Sequence, residues 1–298
     1  MEKICAVVVT FNRLTLLKET IEGLKNQSIS LDKIIIVDND STDGTRDWLS
    51  SIKSDKIELI FQDNVGGAGG FHTGVKAGYE QGYDWIWMMD DDVIPNTNCL
   101  EELLNYREVS SCLNPMKQYI DGSPMYWARW YDALRGVIYT NNNILFENGN
   151  KVTFVNVGNF EGMLVSRELV SQIGFPNPDY FIAHDDTDYG FRASFYTNVA
   201  YVRDAILVRN MKITDYKLSA FYLYYNYRNQ FILFRESLKI PFDYYGVSKF
   251  HYYKGIFQRA WSETKSLLKK QDDQKKLKVK SIWRGIIDGL KGKVGKTF

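Results

Sequence analysis

The sequence predicts an α/β fold: a mostly parallel sheet flanked by helices, with a helical C-terminal extension that is basic and amphipathic. Short apolar runs alternate with helical patterns through the first hundred residues, and the first run is rich in β-branched residues without polar alternation, as in a strand buried on both faces. Strands that alternate with helices imply right-handed crossovers and parallel pairing. A change from acidic to basic net charge along the chain predicts the extension. We therefore divide the chain into an α/β domain, residues 1–210, and a C-terminal helical region, residues 211–298.

The elements of the first third follow in a regular order. The predicted strands cover Ile4–Thr10, Ile34–Val37, Ile57–Phe61 and Trp85–Met89. Helices between them are indicated by leucine and isoleucine at helical spacing after the first strand, by N-cap residues after the second and by a glycine-rich turn after the third. Pro95 and Asn96 are predicted to open a fourth helix, which contains Leu100, Leu103 and Leu104.

Beyond residue 105 the pattern is less regular. We predict strands over Val152–Val157 and Gly162–Ser166, a helix that begins near Asp185, and a long aromatic helix over Phe221–Leu238. The Tyr224–Asn229 stretch of that last helix is interpreted as packing beneath a site rather than as catalytic.

Composition excludes several classes of protein. The 298 residues include 37 Lys+Arg and 36 Asp+Glu, a balance that argues against nucleic-acid binding, and 45% of them are apolar, enough for a packed core. Cys5, Cys99 and Cys112 are far apart with no CxxC pair, so we expect neither a structural zinc site nor a disulfide scaffold, and a reducing cytoplasm. Neither a signal peptide nor a membrane-spanning run is recognised.

The C-terminal segment differs in charge from the rest of the chain. Residues 250–298 contain 13 Lys+Arg and 4 Asp+Glu, so an acidic body carries a basic end. Apolar residues follow helical spacing beside the basic ones, namely Ile282, Trp283, Ile286, Ile287 and Leu290. Such a helix can lie in an anionic headgroup layer. The sequence leaves open the alternative that the helix packs on its own body or on a partner subunit.

Polar side chains follow all four predicted strands, at the point where each strand ends. These segments are Thr10–Arg13, Asp38–Asp40, Asp63–Asn64 and Asp90–Asp92. In open α/β sheets, ligands bind beyond the carboxyl ends of the strands. The sequence therefore predicts an active site on this rim of the sheet.

The three carboxylates Asp90, Asp91 and Asp92 are adjacent and follow a buried strand. Their mutual repulsion and desolvation are costly unless a cation neutralises them, and Mg²⁺ and Mn²⁺ prefer oxygen ligands. Alternate residues of an extended segment point to the same side, so Asp90 and Asp92 can approach one metal ion, or one can bind metal while the other holds a ribose. The alternative is a solvated acidic loop.

Two further segments carry candidate chemistry. The glycine-rich run Asn64–Gly70 allows backbone N–H groups to approach phosphate or sugar oxygens, although by itself it is equally typical of a structural turn. It is neither a P-loop nor a dinucleotide fingerprint. The acidic segment His184–Asp188 contains candidates for a general base, or is a helix N-terminus rich in Asp. Asp188 is expected to pair with Arg192, four residues later.

Taken together and in order, these motifs resemble family 2 glycosyltransferases of the GT-A fold. The matching segments are Val7–Arg13, Val37–Gly44, Asn64–Gly70, Asp90–Asp92 and Asp185–Arg192. The Gly-Gly-Ala-Gly-Gly run, the triple Asp and the Asp-Asp-x-Asp-Tyr-Gly-x-Arg pattern are most similar to the galactofuranosyltransferase branch, which grades into rhamnosyltransferases. The resemblance covers about residues 3–235.

The resemblance implies a nucleotide-sugar-binding catalytic domain over 1–210 and an inverting transfer. It implies that Asp186 is the general base and that Asp90 and Asp92 bind Mn²⁺ or Mg²⁺. Residues that would border the donor are Thr10, Asn12, Arg13, Asp38, Asn64, Gly69, Gly70, Asp91 and Arg209. The implied donor is UDP-galactofuranose, with dTDP-rhamnose as the alternative. The implied acceptor is a glycan, with a lipid-linked one favoured, at the cytoplasmic face of the membrane, in synthesis of a cell-surface polysaccharide.

One position departs from the family. Relatives commonly have a metal-ligating His after a later strand, where this chain has Arg209. Either the guanidinium neutralises the diphosphate directly, or a weaker metal site is completed by water. Acceptor candidates are Trp127, Trp130, His184 and Asp185. A sugar-nucleotide pyrophosphorylase is disfavoured because no glycine-rich nucleotidyl loop follows the first strand, and a non-catalytic sugar-binding or scaffold descendant is disfavoured by the retained carboxylates.

Overall fold

The computed structural model describes residues 2–125, 129–140, 146, 149–210, 218–239 and 248–298. The strands are β1 Ile4–Thr10, β2 Lys33–Asp38, β3 Ile57–Phe61, β4 Trp85–Asp90, β5 Val93–Pro95, β6 Cys112–Tyr119, β7 Pro124–Met125, β8 Arg129–Asp132, β9 Val137–Thr140, β10 Val152–Val155, β11 Leu164–Ser166 and β12 Val199–Arg209. The helices are α1 Leu14–Lys25, α2 Thr45–Ile52, α3 Gly66–Glu80, α4 Cys99–Leu104, α5 Arg167–Ile173, α6 Asp185–Ala193, α7 Ala220–Ser237, α8 Lys249–Lys269 and α9 Lys275–Leu290.

One large mixed sheet organises the fold. Its strand order is β10-β12-β6-β11-β4-β1-β2-β3, with β5 beside β12 and β7 beside β6. The β4-β1-β2-β3 half is parallel throughout, and its register pairs Thr10 with Asp38 and Val9 with Asp90. The polar residues that follow these strands therefore lie on one rim, as the sequence predicts.

Helices cover both faces of the sheet, because successive strand residues point to opposite sides. Alternate residues of β1 pack with α1, α2 and α4 in one apolar cluster, and the intervening residues pack with α3, α5 and α6 in another. The predicted α/β fold with a helical C-terminal region is thus confirmed.

Helix α3 approaches the sheet closely because it presents glycine to the strands. A Cβ at Gly70 would collide with Val9, and one at Gly74 would collide with Val7. Gly66, at the start of the helix, has φ +78° and lies against the carbonyl of Phe181. These glycines fix the position of the helix N-terminus at the rim of the sheet.

The C-terminal helices pack on the body of the protein. Ile282 and Ile286 of α9 are buried in a cluster with α7 and α8, which is the alternative that the sequence left open for this face. Other apolar side chains stay exposed on α8 and α9, including Trp261, Leu268, Leu277, Ile287 and Leu290. No helix among the described residues is both long enough and apolar enough to cross a membrane.

The elements that the sequence did not predict are formed by distant pairing. Strand β12 pairs with β6 in parallel and with β5 and β10 in antiparallel fashion, and its residues show no strict alternation of apolar and polar side chains. The predicted helix that contains Leu100, Leu103 and Leu104 is present, but the prediction that Pro95 and Asn96 open it is wrong. Pro95 ends β5, opposite Leu207, and α4 begins at Cys99.

Candidate active site

A cavity of about 640 Å³ lies on the rim where the parallel strands end. Both predicted acidic segments line it: Asp90, Asp91 and Asp92 from the end of β4, and Asp185 and Asp186 from the start of α6. The sequence separates these segments by more than 90 residues, and the fold brings them to one space. Thr10, Arg13, Asn64 and Arg209 also line it.

Asp91 is held by the first strand and its following loop. The Thr10 hydroxyl donates to Asp91 Oδ2 at 2.8 Å, and Arg13 donates to Asp91 Oδ1 at 3.1 Å. Burial raises the pKa of Asp91, and the Arg13 charge opposes that effect. Both oxygens are therefore occupied by the protein, so Asp91 organises the edge of the cavity.

Asp92 lies between two guanidinium groups. Its Oδ2 accepts from Arg13 at 3.1 Å and from Arg209 at 3.4 Å. Its Oδ1 is buried and has no hydrogen-bond partner among the described residues. Burial raises the pKa of neighbouring Asp90 well above its ordinary value, and the charges of Glu161, Asp92 and Asp91 raise it further.

These carboxylates fit a divalent cation. An orphaned buried oxygen on Asp92 and an Asp90 carboxyl whose ionised form is disfavoured are the features that a cation would relieve. Among the described residues, no group of three His, Cys, Asp or Glu side chains is arranged to hold a metal, so this site would need ligands from the donor or from water. The pair Asp90 and Asp92 is the part that the protein supplies.

Arg209 belongs to a buried chain of charges that sequence reasoning missed. Arg209 lies 3.1 Å from Glu161 Oε1, and Lys117, almost fully buried, donates to Glu161 Oε2 at 3.0 Å. Burial lowers the pKa of Lys117, and the Glu161 charge opposes that effect. Glu161 follows Asn159 and Phe160 and lies ahead of β11. The only feature of the sequence that could have identified it as a site residue is a charged side chain between apolar runs. This series of ion pairs holds the Arg209 guanidinium at the cavity.

Asp185 and Asp186 are neighbours with different surroundings. Burial raises the pKa of Asp185 to about 8, and the charge of Asp186 contributes. Burial also raises the pKa of Asp186, and Arg129 is the main opposing charge. Asp186 is the better candidate for an ionised base of the two, because the Arg129 charge opposes the effect of burial on its pKa.

The loop before α6 has an unusual backbone conformation. Phe181, Ala183 and His184 have φ values of 63°, 69° and 67°, which are costly for residues with a Cβ. Buried Asn229 of α7 donates from Nδ2 to the carbonyls of Tyr180, Ile182 and Ala183 at 2.9, 2.7 and 2.8 Å. This one side chain therefore holds the loop that leads into Asp185 and Asp186.

Arg228 supports the same loop from beneath. It is fully buried and donates to the carbonyls of Asp179 and Tyr180 at 3.1 and 2.7 Å, and also to the carbonyl of Gly295. Thr297 accepts from Arg228 at 2.9 Å. The interpretation of Tyr224–Asn229 as packing beneath the site describes these contacts, although the sequence did not indicate which side chains make them.

Some predicted site residues do not face the cavity. Asn12 supports the loop after β2, because its Oδ1 accepts from Thr42 N at 2.7 Å. Asp38 is fully buried and accepts from Arg46 Nε at 2.8 Å, and its neighbour Asn39 forms the cavity wall. Gly69 and Gly70 lie inside helix α3 and allow its close packing. Their roles toward a donor stay predictions.

The acceptor candidates likewise divide into residues that line the cavity and residues that do not. His184 and Asp185 line the cavity, whereas Trp130 is 48% exposed on the β8–β9 hairpin and is not part of the lining. Trp127 lies outside the described residues. The expected pair of Asp188 with Arg192 is present at 3.0 Å. Phe181 and Asn226, which the sequence did not single out, also line the cavity.

Comparisons with known proteins agree with this geometry. The family model described as Glycosyl transferase family 2 matches residues 5–174. The chain is 29% identical over 199 residues to galactofuranosyltransferase GlfT1 of Mycolicibacterium smegmatis, covering 63% of this chain and 64% of the relative. It is 30% identical over 194 residues to GlfT1 of Mycobacterium tuberculosis, covering 63% of each. The chain thus spans somewhat less than two thirds of these relatives.

Solved structures extend the likeness over nearly the whole chain. S. aureus TarS 1–349 in complex with UDP-GlcNAc is 14% identical with a TM-score of 0.58, covering 96% of this chain and 81% of that one. The mannosyltransferase PcManGT of Pyrobaculum calidifontis, in complex with GDP-Man and Mn²⁺, is 13% identical with a TM-score of 0.59, covering 97% and 87%. At such identities the likeness establishes the fold, which is the GT-A fold.

Proposed function

This chain belongs to glycosyl transferase family 2 and is a glycosyltransferase, and we propose that it transfers galactofuranose from UDP-galactofuranose, with inversion, to a lipid-linked glycan in cell-surface polysaccharide synthesis. The observation that carries the proposal is the single cavity lined by Asp90 and Asp92 on one side and by Asp186 on another. The similarity to relatives named galactofuranosyltransferase supports the choice of sugar.

In the proposed reaction, Asp186 accepts the proton of an acceptor hydroxyl while that oxygen forms a bond to the anomeric carbon. The bond from the anomeric carbon to the diphosphate breaks, and the nucleoside diphosphate leaves with the electron pair. Arg13 and Arg209 lie at the cavity and contribute positive charge toward that leaving group.

Asp90 and Asp92 would hold Mn²⁺ or Mg²⁺. Such a cation, when bound, supplies charge stabilisation to a departing diphosphate. Asp91, fixed by Thr10 and Arg13, keeps the loop that carries both ligands in place. Asn64, Gly66 and Gly67, which line the cavity, are proposed to border the nucleoside and sugar of the donor, while Asp38, Gly69 and Gly70 would act only by supporting the cavity wall.

A donor screen tests the choice of sugar. We expect UDP-galactofuranose with Mn²⁺ to raise the melting temperature more than UDP-glucose, GDP-mannose or dTDP-rhamnose does, because a ligand that binds only the folded state stabilises it. A matched series with EDTA separates the contribution of the cation. A larger shift with dTDP-rhamnose would replace galactofuranose by rhamnose in the proposal, and no shift with any donor would contradict it.

We also propose that the C-terminal helices hold the enzyme at an anionic membrane surface. The exposed apolar side chains of α8 and α9, Trp261 and Leu268 among them, accompany the excess of basic residues in 250–298. Such a location would suit an acceptor anchored in the cytoplasmic leaflet.

Vesicle sedimentation tests this membrane contact. We expect the protein to sediment with vesicles that contain anionic phospholipid, and the double variant Trp261→Ser, Leu268→Ser to lose most of that binding. Val109→Ser, an exposed apolar residue outside α8 and α9, is the matched surface control. Equal sedimentation with purely zwitterionic vesicles would remove the anionic lipid from the proposal, and no sedimentation by the unaltered protein would remove the membrane from it.

A further inference from the structure

A second cavity, of about 450 Å³, adjoins the first. It lies between the β8–β9 hairpin, α7 and α8. His184, Asn226 and Ile138 line both cavities, so these three side chains form a shared wall. His184 is two residues from Asp186, which places the second cavity next to the proposed base.

The polar groups of the second cavity are held by partners. Arg259 donates to Gln230 Oε1 at 2.7 Å, and the Tyr227 hydroxyl donates to Glu263 Oε2 at 2.6 Å. Among the described residues, no carboxylate lies within ion-pair distance of Arg259. Because the hydrogen bonds hold these polar side chains in fixed orientations, a ligand in the second cavity would meet preorganised donors and acceptors.

The lining has the chemistry of a site for an uncharged sugar. It combines a guanidinium, a carboxylate, amides and hydroxyls with the apolar side chains of Val137 and Leu233. Donors and acceptors together match the hydroxyls of a sugar ring, and the apolar groups match its C–H face. An anionic ligand is disfavoured because Glu263 faces the same space as Arg259. The volume lies within the range of ordinary small-ligand pockets.

We propose that this second cavity binds the acceptor sugar next to the one that carries the attacking hydroxyl. This inference rests on the proposed function, because it takes the first cavity as the site of transfer. An acceptor chain would extend from the second cavity into the first beside His184 and present its terminal hydroxyl to Asp186. The enzyme would then recognise at least two sugars of its acceptor.

The test compares octyl monosaccharides and disaccharides that share the same non-reducing terminal sugar, in galactose, rhamnose and N-acetylglucosamine series. Binding is measured by saturation-transfer NMR and titration in the presence of UDP. We expect at least one disaccharide to bind about tenfold or more tightly than its monosaccharide, since its second sugar would add hydrogen bonds to charged groups. In Ser262→Trp, whose new ring fills the cavity from the exposed side of α8, that advantage should disappear.

Gln258→Trp is the matched control, because Gln258 is exposed on the same helix but does not line the cavity. It should retain the advantage of the disaccharide, and thermal melting verifies that both variants are folded. The inference is overturned if no disaccharide binds better than its monosaccharide, or if Ser262→Trp keeps the preference. Hydrolysis of the donor by the unaltered enzyme reports separately on the proposed function, since it needs no acceptor.

Discussion

Replacing Asp186 by Asn is expected to lower the rate of sugar transfer by about 10²- to 10⁴-fold, the usual contribution of a positioned general base. Asn keeps the size of the side chain and an oxygen for the Thr187 N–H, which donates to Asp186 Oδ1 at 2.6 Å, so the start of α6 should keep its conformation. The measurement is the single-turnover rate with the enzyme in excess over the donor and the acceptor at a saturating concentration.

The pH profile provides an independent check on the same residue. A base works only when deprotonated, and burial raises the pKa of Asp186, so transfer should fail on acidification at a higher pH than an ordinary Asp would allow. Burial and the charge of Asp186 raise the pKa of Asp185 to about 8, which disfavours its ionised form. Asp185→Asn should therefore retain far more activity than Asp186→Asn. The reverse ranking would assign the base to Asp185.

Replacing Asn229 by Ala is expected to impair both the fold and the reaction. The change removes the amide that binds three carbonyls of the loop before α6, one buried and two partly buried, and an unsatisfied buried polar group costs about 1–3 kcal/mol. We expect the free energy of unfolding to fall by about 3 kcal/mol. We also expect kcat to fall by about 10²-fold, because the strained loop can relax and displace Asp186.

Two measurements separate these effects. Denaturant unfolding reports the loss of stability, and single-turnover transfer at a temperature where the variant is fully folded reports the loss of positioning. Asn198→Ala, at an exposed position away from the cavity, is the control for the loss of an asparagine side chain. An unchanged kcat in folded Asn229→Ala would show that the loop keeps its shape without this amide.

The parts of the fold and site that were predictable from sequence depend on local pattern. Strands β1 and β4 are buried apolar runs with polar ends, and a parallel sheet places such ends on one edge, so Thr10 and Asp90 could be placed before any coordinates. The acidic start of α6 carries its own motif. Neither inference needed knowledge of distant contacts.

What could not be predicted depends on distant pairing. Lys117 lies in an ordinary mixed segment, and only the pairing of β6 with β12 brings it to Glu161 and Arg209. Asn229 lies in an aromatic helix, where its contact with the loop before α6 depends on tertiary packing. The glycines of α3 could be assigned equally to ligand binding or to close packing, and the collision of a Cβ at Gly70 with Val9 favours packing.

The clamp from α7 onto the loop before α6 has a practical consequence for protein engineering. Arg228 and Asn229 belong to the helical half of the chain, yet their hydrogen bonds shape the segment that presents the proposed base. In a chimaera that joins the sheet of this enzyme to the helices of a relative, the α7 side chains of the relative would not match the carbonyls of the loop before α6. Donor specificity should therefore be exchanged by replacing cavity side chains within one intact scaffold, or by transplanting the loop and α7 together.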